Sequence, residues 1–285
     1  MSRTSSLGGR SRGRARALVV AGGLTALALA LSGCTPKDIP SMLDIPNPVT
    51  REGARIHSLW QGSWVAAWAV GAITWGLILW AVVAYRRRSE DAPPQTRYNL
   101  PIEALYTALP FVIIAVFFGF TARDQTALLT VSDHPQNTVN VVAFRWNWTF
   151  NYVDQNVYDV GGEQQVATLY LPVGESVKFT LTSPDVIHSF WVPVFLFKMD
   201  VIPGKTNQFQ LTPTQEGTFS GKCAELCGVD HARMLFVVKV VSPEQFAQHV
   251  ADLKAAGQVG LLQTGRTANS VTGDTQGRTR IGGGS

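Results

Sequence analysis

The sequence predicts a two-helix transmembrane hairpin followed by an all-β sandwich or barrel domain outside the membrane. Three observations carry this: two long stretches without a charge, a run of arginines between them, and a change after residue 137 to short β-rich segments split by Gly and Pro.

The chain opens with an export signal. Arg3, Arg10, Arg12, Arg14 and Arg16 precede an uncharged apolar run over 17–31, and Ser32 and Gly33 follow, which marks residues 1–33 as a signal peptide. Leu31-Ser32-Gly33-Cys34 resembles a lipobox, at which cleavage leaves Cys34 as a lipid-modified N-terminus. The chain has 24 Lys and Arg against 20 Asp and Glu, a formal charge of +4. Five of those arginines belong to the signal, which holds no acid, so the remainder is near neutral and no nucleic-acid partner is expected. Residues 34–57, with Pro36, Pro40, Pro46 and Pro48, read as an extended tether.

No charge occurs over 59–85, long enough for a helix to cross about 30 Å of hydrocarbon, and the first span is expected at 58–85. A second uncharged run, 104–122, lies between Glu103 and Arg123 and gives a span at 102–122. The intervening loop, 86–101, carries Arg86, Arg87, Arg88 and Arg97, which places it in the cytoplasm and both flanks outside a bacterial cell membrane. Trp60, Trp64 and Trp68 share one helix face, suited to interfacial anchoring or to packing on a neighbouring helix.

Strands are expected at 138–144, 146–152, 165–171, 176–183, 207–211, 217–222 and 234–241, within an outer domain spanning 123–256. Gly161-Gly162, Pro172-Val173-Gly174 and Pro203-Gly204 supply turns. Ser242-Pro243-Glu244 suits the start of a terminal helix, with Gly257 as its stop. Residues 257–285 are poor in apolar side chains and are expected to be a disordered tail.

Chemistry concentrates in one segment, where Cys223, Cys227, His231 and Met234 fall within twelve positions. A further histidine, His188, lies upstream at the expected end of a strand. Soft sulfur donors together with imidazole favour copper. A mononuclear blue-copper site takes one cysteine, so the second thiolate argues for two metal ions. On the residues alone a Cys223–Cys227 disulfide and a structural zinc site both stay open, although zinc leaves Met234 without a role.

These residues resemble cytochrome c oxidase subunit II over most of 55–250. The family's Cys-x3-Cys-x3-His-x2-Met is matched by Cys223, Cys227, His231 and Met234, and its Asp-Val-x-His-Ser by residues 185–189. Lys198-Met199-Asp200-Val201-Ile202-Pro203-Gly204 matches a third characteristic stretch. The resemblance implies a cupredoxin-like domain with a binuclear CuA centre bridged by Cys223 and Cys227, with His188 and His231 as terminal ligands, Met234 axial and the Glu225 carbonyl completing the shell. The Glu225 side chain is then a ligand of a magnesium ion shared with subunit I. Arg145-Trp146-Asn147-Trp148 is similar to the family's aromatic stretch and makes Trp146 the receiver of electrons from a c-type cytochrome, with Trp148 as a core residue. Glu103 resembles a glutamate that admits protons to a channel in subunit I, or else complements its helix N-terminus.

Expected partners are therefore subunit I, the other oxidase subunits, membrane lipids and a c-type cytochrome. The sequence has no Cys-x-x-Cys-His, which places the donor haem on a separate chain, and a cytochrome held in a supercomplex with a bc complex fits. Asn147 and Asn151 replace an aromatic residue and an acid common in the family, which reads as a weakened docking face for a freely diffusing cytochrome. A quinol oxidase subunit II would share the fold but lack the copper ligands, a copper-delivery lipoprotein would not need two spans, and nitrous oxide reductase would need a large further domain.

Overall fold

The computed structural model describes residues 45–263 apart from 89, 91, 93, 94 and 163–165. The expected signal peptide, Cys34, the first part of the tether and residues 264–285 lie outside the described residues. Two long helices come first, α1 at Arg51–Ala84 and α2 at Leu100–Leu129. Both have the length and apolar composition of membrane spans, and no residue of their most apolar stretches is buried. Side chains such as Phe111 and Phe118, more than 70% exposed, need an apolar environment that the described residues do not supply. This fits a membrane protein carrying an outer domain.

Helix α1 starts seven residues earlier than expected, inside the stretch read as a tether. Hydropathy marks only the part of a helix that needs lipid, whereas backbone hydrogen bonding continues until a cap stops it. Here the Thr50 hydroxyl accepts the Gly53 N–H at 3.0 Å. The preceding residues are not free either. The Val49 N–H donates to the Val194 carbonyl (3.1 Å) and the Val49 carbonyl accepts from Thr214 (2.8 Å). Glu52, in the first turn, accepts the Thr212 N–H at 2.8 Å, so the helix entrance is fastened to the outer domain.

The outer domain is a sandwich of two five-stranded sheets. Its strands are β1 (Asn137–Phe144), β2 (Asn147–Tyr152), β3 (Val157–Val160), β4 (Ala167–Pro172), β5 (Val177–Thr182), β6 (His188–Val192), β7 (Phe197–Val201), β8 (Asn207–Leu211), β9 (Gly217–Cys223) and β10 (Leu235–Val241). One sheet runs β3-β2-β1-β5-β8 and the other β4-β10-β9-β6-β7. Alternating burial, as in β5, is what made most strands readable. Strands β3, β6 and β7 were not expected. Strand β6 is paired on both sides and buried at four of its five positions, so it lacks alternation, and His188 opens it rather than ending a strand. Between the sheets lie Trp148, Phe150, Phe179, Phe190, Phe209 and Phe236, all fully buried. Helix α3 (Pro243–Ala255) follows, with Ser242 and Gln245 forming a capping box.

Two expectations change beyond α3. Residues 257–263 are ordered: Val259 bridges Val157, and the Gly260 N–H donates to the Asn156 carbonyl at 2.9 Å. Asn151 secures this segment, accepting the Leu262 N–H at 2.7 Å and donating to the Leu262 carbonyl at 3.1 Å. Its side chain is fully buried and also donates to Asn140 at 3.0 Å, so it is a structural clamp and not a lost docking charge. Asn147 is engaged locally, accepting the Trp148 N–H at 2.8 Å. We expect Asn151→Ala to leave three polar partners unsatisfied and to cost about 1–3 kcal/mol. Hydrogen exchange should then show early loss of protection at residues 258–262 while β1 stays protected.

Candidate metal centre

Strand pairing assembles the site. Strand β9 lies between β6 and β10, so Cys223 at its end sits opposite Phe190, and the Cys223 N–H donates to the Met234 carbonyl at 3.0 Å. The Ala224 N–H donates to the Ser189 carbonyl at 3.0 Å, tying the start of the loop to β6 beside His188. The loop then turns at Gly228, whose φ of +127° suits glycine, and closes through a short 3-10 turn at His231–Arg233. Three sheet ends and one loop thus converge.

All six residues expected as ligands meet here. The Cys223 and Cys227 sulfurs are 3.8 Å apart. His188 Nδ1 lies 3.9 Å from the Cys223 sulfur, and His231 Nδ1 lies 3.6 Å from that of Cys227. Met234 Sδ is 3.7 Å from the Cys227 sulfur, and the Glu225 carbonyl oxygen is 3.2 Å from that of Cys223. His188 and Met234 are fully buried and the cysteines nearly so, whereas His231 is half-buried at the open edge.

Burial pushes the Cys223 thiol up, but the His188 imidazole and nearby backbone groups outweigh it and bring it down to about 6. Burial and the Cys223 thiolate push Cys227 up to about 12. Two adjacent thiolates repel, so both ionise together only when a cation neutralises them. The donor set selects the cation: two thiolates, two imidazoles and a buried thioether suit copper. In this arrangement the two thiols are free, their sulfurs 3.8 Å apart against the roughly 2.05 Å of a disulfide bond. A zinc site of two cysteines and two histidines would leave Met234 buried among the donors without a function.

Asp185 is the residue that sequence reading left without a role. Its Oδ1 lies 2.9 Å from His188 Nε2, which turns Nδ1 toward the sulfurs, and its Oδ2 accepts the Arg145 N–H at 2.7 Å. Burial raises this carboxyl, but His188 and the backbone donors outweigh that and hold it below its usual range. The three-residue spacing from Asp185 to His188 was the available signal, though spacing alone did not show that β6 begins at His188.

The two neighbouring tryptophans separate. Trp146 occupies the two-residue turn between β1 and β2, is half-buried, and donates its indole N–H to the Cys227 carbonyl at 3.2 Å. Trp148 is fully buried and donates to the Met234 carbonyl at 3.4 Å. Glu225 has its side chain on the surface. Glu103 is far along the chain at the start of α2, where its carboxylate accepts the Asn99 N–H at 2.9 Å while the Asn99 side chain accepts from Ile102. That reciprocal arrangement is helix capping.

Residues 137–241 match the family described as cytochrome C oxidase subunit II, periplasmic domain. The probable cytochrome c oxidase subunit 2 of Streptomyces avermitilis is 53% identical over 274 residues, covering 82% of this chain and 86% of that protein. This chain belongs to the cytochrome c oxidase subunit 2 family. The cytochrome c oxidase subunit 2 of Mycobacterium tuberculosis is 33% identical over 303 residues, covering 85% of this chain and 83% of its own. Among solved structures, the periplasmic domain of cytochrome oxidase subunit II of Bradyrhizobium japonicum aligns with a TM-score of 0.41 and 29% identity, over 44% of this chain and 99% of that one. As a member of the cytochrome c oxidase subunit 2 family, the chain is part of an oxidoreductase complex, and its His188, Cys223 and Cys227 cluster fits a copper site.

Proposed function

We propose that this chain is the electron-accepting subunit of the oxidase, taking electrons singly from a c-type cytochrome at Trp146 and delivering them to haem in subunit I, where oxygen is reduced to water with proton pumping. The observation that carries this reading is the convergence of six donor atoms, two of them thiols 3.8 Å apart. Cys223, Cys227, His188, His231, Met234 and the Glu225 carbonyl would hold two coppers, which would supply a one-electron couple shared over both metals. The protein holds the ligands on sheet ends and fixes the His188 imidazole through Asp185, which limits rearrangement on a change of charge. The Trp146 indole spans from the half-exposed turn to the Cys227 carbonyl, a short covalent and hydrogen-bonded route into the site.

The proposed donor is a c-type cytochrome on a separate polypeptide. The exposed Glu225 carboxylate, on the same residue as the cluster's backbone ligand, is available to a magnesium ion at the boundary with subunit I.

Electron paramagnetic resonance of the copper-loaded chain tests the centre, with hyperfine coupling to two equivalent nuclei expected. Coupling to a single nucleus would remove the binuclear assignment. Trp146→Phe keeps a ring but loses the hydrogen bond to Cys227. Stopped-flow reduction by cytochrome c should slow about tenfold or more with the copper spectrum unchanged, and an unchanged rate would take the role from Trp146.

A further inference from the structure

Between α1 and α2, at the end nearest the outer domain, lies a cleft of about 780 Å³ that the electron-transfer reading does not use. The volume falls in the range of sites that hold a small ligand. On α1 its wall is made by Ser58, Gly62 and Ala66, one turn apart, and on α2 by Val116, Phe117 and Phe120. The small residues on one side make the room, and the bulky ones on the other keep it apolar.

The cleft has a charged mouth. Arg55 and Arg123 both line it and flank the buried Asp124. Arg123 Nε and Nη2 each lie 3.0 Å from Asp124 Oδ1, while Arg55 Nη1 is 3.9 Å away. One carboxylate neutralises one guanidinium, so the group keeps a positive charge. Each guanidinium has five N–H donors, and the two side chains remain 54% and 63% exposed. Donors are therefore left for an anion.

Depth selects the class of anion. Arg55 and Arg123 mark where charge resumes beyond the two uncharged stretches, the level of phospholipid headgroups. The apolar cleft begins directly beneath and runs from Ser58 to Ala66, about 12 Å along the helix. A ligand that fits needs a negative group on an apolar chain, in that order and at that depth. A helix from another subunit would have to bring an acid to the same point.

We propose that this cleft binds one anionic phospholipid of the outer leaflet, its phosphate between Arg55 and Arg123 and an acyl chain along the Gly62 wall. The inference rests on α1 and α2 being membrane spans. The assembled oxidase is placed in phosphatidylcholine nanodiscs containing phosphatidylglycerol with a photoactivatable acyl chain, and labelled peptides are identified by mass spectrometry. Labelling is expected on residues 58–66 and 116–120. It should fall about tenfold in an Arg55→Gln/Arg123→Gln double variant, each arginine near a charged surface contributing appreciably to anionic lipid binding. It should fall similarly in Gly62→Phe, where an added Cβ has no atom within 4 Å to disturb. An unchanged copper spectrum shows that both variants fold. Equal labelling by photoactivatable phosphatidylcholine, or undiminished labelling in the double variant, overturns the proposal. So does unlabelled wild-type cleft, as when a neighbouring subunit or an acyl group on Cys34 fills it. Release of the chain from membranes by alkaline carbonate would overturn the spanning reading itself, and the inference with it.

Discussion

Cys227→Ser is expected to abolish the two-metal signature while leaving the outer domain folded. The side chain is nearly buried, and the substitution changes its volume little while replacing a soft thiolate with a hydroxyl that does not ionise near neutrality. The Cys223 sulfur, His231 Nδ1 and Met234 Sδ all lie within 3.8 Å of the Cys227 sulfur. In the proposed two-copper centre its loss would remove one bridge and strand the His231 end of the site. Copper content should halve, and hyperfine coupling should collapse from two equivalent nuclei to one. Changes to groups that merely orient metal ligands cost about 10–100-fold, so losing a bridging ligand should slow electron delivery by more than that. Retention of two coppers with an unaltered spectrum would show that Cys227 is not a bridge.

Trp148→Ala is expected to be the most destabilising single change in the outer domain. The indole is fully buried, with edge-on contacts to Phe236 at 5.0 Å and Phe190 at 6.0 Å between ring centres. Truncation of a buried Trp costs about 3–5 kcal/mol, a large share of the roughly 5–15 kcal/mol that stabilises a typical domain. The cavity would open beneath the metal centre, because the same ring lies 6.4 Å from the His188 ring and donates to the Met234 carbonyl. Chemical denaturation monitored by circular dichroism should show the midpoint shift in the copper-free chain, and Trp148→Phe should recover part of it. A shift below about 1 kcal/mol would mean the core closes around the deletion.

The helices were legible because lipid imposes a coarse rule: a stretch of twenty or so residues without charge, ended by arginine, is stable chiefly as a helix with hydrocarbon around it. The strands with one buried face were legible for a similar reason, as in β5 and the end of β10. The copper donors stood out because cysteine is scarce, with two of three in one loop. None of these readings needed the third dimension.

Other features became visible only through residues distant in sequence. The β6 strand is defined by pairing with β7 and β9. Asn151 was misread as a surface position because its partners, Asn140 and Leu262, are 11 and 111 residues away. The same holds for Trp146 and Trp148, two residues apart, whose different roles follow from a turn that takes one to Cys227 and a strand that takes the other into the core.

By itself, then, the sequence determined what must be near a membrane and which atoms can hold copper, since both follow from residue type and local spacing. The tertiary structure alone decided which nitrogen of His188 faces the sulfurs, that Asp185 turns it, that residues 257–263 are clamped to the sheet, and that Arg55 and Arg123 share one carboxylate at the mouth of a cleft. Most of these depend on contacts between segments tens of residues apart, and only the packed chain brings them within hydrogen-bonding range.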